Sequence, residues 1–224
     1  MLKKWLILPC LFLTFFLEGF EAKDFSYLLG NVKGLDDRLL KMHFTLYQGY
    51  VKNATALQRA ITKMREQDKD RTLAYGALER RFAWEYDGMI LHEYYFKNLG
   101  KTPLLSPKDP LYKQIERDFG SISAWRKNFV ATGLIRGIGW VILYQEPKTG
   151  RLSNIWVDDH HINHLPGGRP LLVMDVWEHA YITEFGLDRA GYIETFLENV
   201  NWDVVKKRFC AYGGEESKTR SQAR

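Results

Sequence analysis

From Leu35 to Gln67 the apolar positions Leu39, Leu40, Leu46, Tyr47, Tyr50, Val51, Ala54 and Leu57 recur at intervals of three and four, with His43 among them. That is the α-helical period, and it predicts one long amphipathic helix. "DKDR", 68–71, breaks the pattern, and a second helical stretch runs from about Thr72 to Leu99, stopped by Gly100 and Pro103. Two helices with so short a connection form a hairpin. "TPLLSPKDP", 102–110, holds three of the seven prolines and reads as a linker to a second unit. Two short helices follow, punctuated at Gly120, with Ser121 or Ser123 placed to cap the second. The period then changes. "GWVILYQEPKTGRLSNIWVDD" reads as a strand, a Pro-Lys-Thr-Gly turn and a strand, and "RPLLVMDVW" supplies a third. Arg189 to Asn199 returns to helix. The expected fold is α+β: an N-terminal helical hairpin, 23–105, then an α+β unit, 106–210, around a three-stranded antiparallel sheet. "GGEESKTRSQAR" is polar and Gly-led, so 211–224 is expected to be a disordered tail.

The first residues follow another rule. Met1 to Lys4 is basic, and Trp5 to Leu17 is uncharged and mostly apolar, well short of the roughly twenty residues of a spanning helix. The expectation is a secretory signal over 1–22, an exported protein in the periplasm or outside the cell, and no stable membrane anchor after its removal. Cys10 would leave with the signal, so the mature chain would carry Cys210 alone and no internal disulfide. Stability must then come from the core, for which 46% hydrophobic residues are sufficient. The net charge of +5 is scattered among 27 acidic residues rather than gathered into a stripe, which argues against a nucleic-acid partner. Asn53-Ala54-Thr55 fits a glycosylation acceptor, a pattern common by chance.

Candidate chemistry concentrates in "PLLVMDVWEHAYITEF", 170–185, where an apolar run leads straight into Asp175, Glu178 and His179. An unpaired buried carboxylate costs several kcal/mol, so a salt bridge, a hydrogen-bond network or a metal must hold Asp175. His43 and His92 lie on the apolar faces of the two hairpin helices, and together with Asp175 and His179 they would form a set of three nitrogens and one oxygen. Such a set suits iron, manganese or zinc, and its lack of thiolate argues against a structural zinc site. A core hydrogen bond between Asp175 and His179, with no metal, is the competing reading.

"DVWEHAY" resembles the signature of the iron/manganese superoxide dismutases, and the similarity extends from about residue 35 to 210 through "YVKNATAL", "LHEYYFKNL", "IERDFGSISAWRKNF", "GIGW" and "NVNWDVVKKRF". The resemblance implies four metal ligands, His43, His92, Asp175 and His179, holding one iron or manganese ion per chain, with solvent as the fifth ligand. It implies superoxide as substrate, one molecule oxidised to dioxygen and the next reduced to peroxide. Tyr50 matches a gateway tyrosine, Trp140 and Trp177 match aromatic walls, and Arg189 matches a channel arginine. Glu178 matches a residue that reaches a metal-binding histidine across a dimer interface, so a homodimer or dimer of dimers is expected. Gly88 stands where iron-type members often carry Gln, and His160 matches the sheet position from which a side chain meets the coordinated solvent. His161 is the competing choice one residue away. The alternative function is a turnover-deficient relative serving as a structural or metal-sequestering protein.

Three departures from the family pattern stand out. His43 and Tyr50 are seven residues apart where most members have eight. Seven steps return to within about 20° of the same helix face, so a regular helix without a bulge is expected. Leu46 and Ile182 occupy positions where a polar pair often meets across subunits, and Asp188 beside Arg189 weakens the local positive field.

Overall fold

The computed structural model describes residues 19–209. Residues 1–18 of the expected leader, both cysteines and the expected tail lie outside the described residues. The rest is α+β, with two long helices followed by a three-stranded antiparallel sheet and further helices.

Helix α1, Asp37–Glu66, is capped by Asp36, whose carboxylate accepts from the Arg38 N–H at 2.6 Å. It buries Leu39, Leu40, His43, Tyr47, Tyr50, Val51 and Ala54, the stripe expected from the period, while Leu46 stays 36% exposed and Leu57 half-buried. The helix runs through as regular α-helix, so the seven-residue spacing from His43 to Tyr50 needs no bulge. Helix α2, Leu73–Asn98, begins at Thr72, whose hydroxyl accepts from Tyr75 N–H at 3.2 Å, and packs along α1 as the second arm of the hairpin. Asn53 sits mid-helix, its amide donating to Glu85 at 3.2 Å, and the Thr55 hydroxyl accepts from Phe20 N–H at 2.9 Å.

Helix α3, Pro110–Phe119, starts on a proline, where the missing N–H costs nothing, and ends at Gly120 with φ +86°. Ser121 caps α4, Ile122–Gly133, accepting from Ala124 N–H at 3.0 Å. Strands β1, Gly139–Gln145, β2, Leu152–Asp158, and β3, Arg169–Asp175, form a sheet in the order β2-β1-β3, both pairs antiparallel. β1 is central and buried throughout, which explains its unbroken apolar run. Its register sets Trp140 opposite both Val157 and Asp175. A 3-10 turn, Glu178–Ala180, and short helix α5, Ile182–Phe185, lead to α6, Arg189–Glu198, capped by Asp188.

Two segments were not foreshadowed by periodicity. Residues 202–209 are helical, started by Asn201, whose side-chain oxygen accepts from Val204 N–H at 3.2 Å, with Trp202 and Val205 buried. Residues 19–36 form a strap over the hairpin that contributes Phe25, Leu28, Val32 and Leu35 to the core. The end of the hairpin is fastened to the sheet by Asn98, whose amide donates to Val173 O at 2.7 Å and whose carbonyl accepts from Asn201 N–H at 2.6 Å. Among the described residues no helix is long and apolar enough to cross a membrane.

Candidate metal centre

The fold brings four side chains from four elements to one point. His43 comes from α1, His92 from α2, Asp175 from the last position of β3, and His179 from the 3-10 turn behind it. One ligating atom of each lies within 4.8 Å of all the others. The Nε2 atoms of His43, His179 and His92 stand 3.2, 3.1 and 3.6 Å from Asp175 Oδ2. His43, His92 and Asp175 are buried, and the His179 side chain keeps 25% exposure, so the centre opens on that side.

Hydrogen bonds to the outer atoms fix which lone pairs face inward. His92 Nδ1–H donates to Gly88 O at 2.5 Å, which leaves Nε2 an acceptor, and that atom is buried with no hydrogen-bond partner. Asp175 Oδ1 accepts from Trp177 N–H at 2.8 Å, leaving Oδ2 to the imidazoles. Tyr192 donates to Asp175 O at 2.7 Å and so accepts from the Tyr95 hydroxyl, 3.2 Å away, whose ring lies 5.1 Å from that of His43. Burial would by itself raise the Asp175 carboxyl, but the charge and hydrogen bonds of His179 and His43 outweigh it and hold it well below the carboxylate range. Burial holds His43 below the usual imidazole range, and burial with the neighbouring His43 holds His92 well below it. A deprotonated Asp175 with neutral His43 and His92 is the state a metal requires of these ligands. An inward lone pair on His92 with no partner, in a thiolate-free N,N,N,O set, fits iron or manganese.

The next layer is aromatic. Trp140 Nε1–H donates to His160 Nδ1 at 3.0 Å, so the His160 proton sits on Nε2 and is given to the Tyr50 hydroxyl at 2.8 Å. His160 is fully buried, its ring stacked on Trp177 at 4.6 Å, and burial pushes it down to about 3. Burial, then Asp175 and Glu85, push the Tyr50 hydroxyl up. Both groups are therefore neutral across the ordinary pH range. Gly88 makes room for them, since a Cβ there would stand 2.8 Å from Tyr50 Cδ1 and 3.2 Å from His160 Cδ2. A glutamine at this position, the alternative that the sequence resemblance implied, would collide with the side chains present here. His161 is exposed and away from this stack.

Trp84 was not singled out from the sequence, yet its ring lies 4.6 Å from His160, 5.5 Å from Tyr50 and 6.4 Å from Trp177. The signal was its spacing, four residues before Gly88 and eight before His92 along one helix. His164, unassigned by the sequence beyond a structural role, has one here. Its Nε2–H donates to His160 O at 2.8 Å, so Nδ1 accepts from the Tyr144 hydroxyl at 2.6 Å, and the two bonds pin the loop that carries His160.

At the rim, Glu178 and Arg189 line a cavity of about 400 Å³ with Leu134, Arg136, Gly137 and Ile138. The Arg189 guanidinium donates to Ile135 O at 2.8 Å, to Gly137 O at 2.7 Å and to the Tyr181 hydroxyl at 3.1 Å, which ties α6 to the loop after α4. Asp188 turns to the helix end, accepting from Gly191 N–H at 2.9 Å.

The model of the C-terminal domain of the iron/manganese superoxide dismutases matches residues 107–208. A curated "Superoxide dismutase [Fe]" of Cupriavidus metallidurans is 34% identical over 195 residues, 86% of this chain and 97% of that protein. The chain belongs to the iron/manganese superoxide dismutases. The "Superoxide dismutase [Fe]" of Methanothermobacter thermautotrophicus is 36% identical over 77% of this chain and 85% of its own length. "Superoxide dismutase [Mn] 2" of Haloferax volcanii is 34% identical over 75% and 82%. Relatives named for either metal thus stand at similar distance from this member of the family.

Proposed function

We propose that the chain dismutates superoxide at a single iron or manganese ion held by His43, His92, Asp175 and His179. The observation that carries the reading is the buried, unpartnered Nε2 of His92 converging with three further donors. The chemistry such an ion supplies when bound is a one-electron couple: one superoxide is oxidised to dioxygen, and the next, with that electron and two protons, is reduced to hydrogen peroxide. The chain's own residues do the rest. Trp84, Trp140 and Trp177 enclose the Tyr50–His160 pair and keep bulk water from it. Because His160 donates to Tyr50, the Tyr50 hydroxyl proton is left to point elsewhere, and its ring lies 5.0 Å from that of His92. Tyr50 therefore presents a neutral O–H beside the centre and His160 sets its orientation. Arg136 and Arg189 oppose Glu178 at the rim and favour approach of a small anion.

Two further readings belong with this one. A homodimer forms through the face that carries Glu178, where Leu134, Ile135, Ile138 and Ile182 are 46, 45, 37 and 41% exposed. Leu46 and Ile182 would make an apolar contact in that interface. The chain is exported on its N-terminal leader. The folded body reaches back to Phe20, whose ring packs 5.5 Å from that of Tyr86, so in this reading release of the leader moves from the 22/23 boundary expected from the sequence to Gly19 or earlier. Light scattering would give the dimer mass, and N-terminal sequencing of the secreted protein its first residue.

The function is tested by direct superoxide consumption, comparing the native protein with His92→Ala. Native turnover with iron or manganese, lost in the variant, is the expected result. Native protein that binds metal and leaves superoxide decay at its spontaneous rate would overturn it.

A further inference from the structure

Helix α2 carries another buried carboxylate, one that takes no part in holding the metal. Glu85 is 2% exposed. Its Oε1 accepts from Arg81 Nε and Nη2 at 2.9 and 2.6 Å and from Asn53 Nδ2 at 3.2 Å. Its Oε2 is buried with no hydrogen-bond partner among the described residues. Such a group is a poor fastener for two helices. A buried ion pair repays its desolvation only when its hydrogen bonds are complete, and apolar side chains of like volume are often as stable or more so. An orphaned carboxylate oxygen adds to that cost.

What Glu85 joins accounts for its place. Asn53 lies three residues after Tyr50 on α1, so the bond from its amide holds the turn that follows Tyr50 against α2. Arg81 lies one turn before Glu85, and its guanidinium stands 4.0 Å over the Trp84 ring. That ring is 4.6 Å from His160 and 5.5 Å from Tyr50. The Arg81 side chain is 54% exposed, and its two bonds to Oε1 keep it at Trp84 rather than in water. One carboxylate oxygen thus ties the Tyr50 segment of α1 to α2 and steadies Trp84 beside the Tyr50–His160 pair.

We infer that Glu85 is a positioning residue for the dismutation proposed above: through Asn53 and Arg81 it holds Tyr50 and Trp84 in the geometry in which His160 donates to the Tyr50 hydroxyl. The inference rests on that reading of the site. Its effect falls on kcat, because the Tyr50 O–H must be in place when protons are taken up. Encounter with superoxide is a separate step, and losing a carboxylate does not slow the approach of an anion.

The test is Glu85→Leu, purified with its metal and read by melting temperature, ion content, kcat against kcat/KM, and a crystal structure. The melting temperature is expected to hold or rise, because half-exposed Arg81 can turn to water, and the ion is expected to stay bound. Meanwhile kcat should fall about tenfold with no fall in kcat/KM. The Tyr50–His160 hydrogen bond should open beyond about 3.5 Å. Glu85→Gln, which keeps an acceptor at Oε1, should return kcat to within about twofold of the parent. If Glu85→Leu does not fold, Asn53→Ala carries the same expectation for kcat, since it cuts the tie to α1 and leaves the Arg81 pair in place. Parental kcat with the Tyr50–His160 bond intact overturns the inference. A loss of kcat matched by loss of bound ion or of folded protein does so too, because Glu85 would then serve stability alone. A parent protein without turnover would overturn the proposed function instead, and the Tyr50–His160 distance in the variant would still decide the role of Glu85.

Discussion

The metal centre and a basic cavity of about 580 Å³ between the strap, α2, β3 and the helix 202–209 both draw on α2 and β3, the first through His92 and Asp175, the second through Glu93, Lys97, Arg169 and Pro170. His92 and Glu93 are neighbours in the chain, about 100° apart around the helix. In the centre one carboxylate faces three imidazoles, and His43, His92 and Asp175 are at most 2% exposed. In the cavity Lys23 and Lys97 share the Glu93 carboxylate, and they remain 51 and 44% exposed in their side chains. The difference follows from desolvation. Two like charges can share one partner where water reaches them, whereas a closed site must be balanced by neighbours or by an ion.

Acid should break this comparison most sharply, because it acts on the closed site. His43, His92 and His160 are all depressed in the folded chain, so below about pH 6.5 the unfolded chain takes up protons that the folded one does not. Stability of the metal-free protein is then complete above that pH and falls as the pH drops, by about 1.4 kcal/mol per pH unit for His160, with His43 and His92 adding in the same direction. Urea midpoints at a series of pH values read the slope. A flat profile between about pH 7 and 5 would show that the histidines are not buried as neutral groups.

Removing the balancing charge is the next largest perturbation. Asp175→Ala should lower metal content and turnover by more than about 100-fold, since it takes away a ligand and the acceptor of two imidazoles. Elemental analysis after dialysis measures the first and superoxide decay the second. Gly88→Gln tests the packing around the centre. With its Cβ 2.8 Å from Tyr50, the substitution should cost about 1–3 kcal/mol in denaturant melts and displace Tyr50. His164→Ala should have the smallest effect. It removes the hydrogen bonds to His160 O and from Tyr144, so turnover should drop about tenfold while metal content holds.

The sequence reading reached the parts of this molecule that are written locally. The period of α1 and α2, the turn between β1 and β2, and the apolar run ending at Asp175 are each carried by consecutive residues. The family resemblance brought His43, His92, Asp175 and His179 together, and their convergence is what the fold displays. Parts written across the chain were not legible. Trp84 joins the aromatic wall only once α2 lies against Tyr50 and His160. The basic cavity assembles Lys23, Lys97, Arg169 and Arg208, residues spread over nearly the whole described chain, none of them remarkable in its own segment. The helix 202–209 is too short for its period to emerge, and Leu46 fits the helical stripe of α1 yet stays exposed.

The central claim is that the four converging side chains make one redox site. Its most direct test adds iron or manganese stepwise to the metal-free protein and follows superoxide turnover against equivalents bound. The account predicts turnover that rises linearly and breaks at one ion per chain with at least one of the two metals. Binding of one ion per chain with turnover absent for both would contradict it.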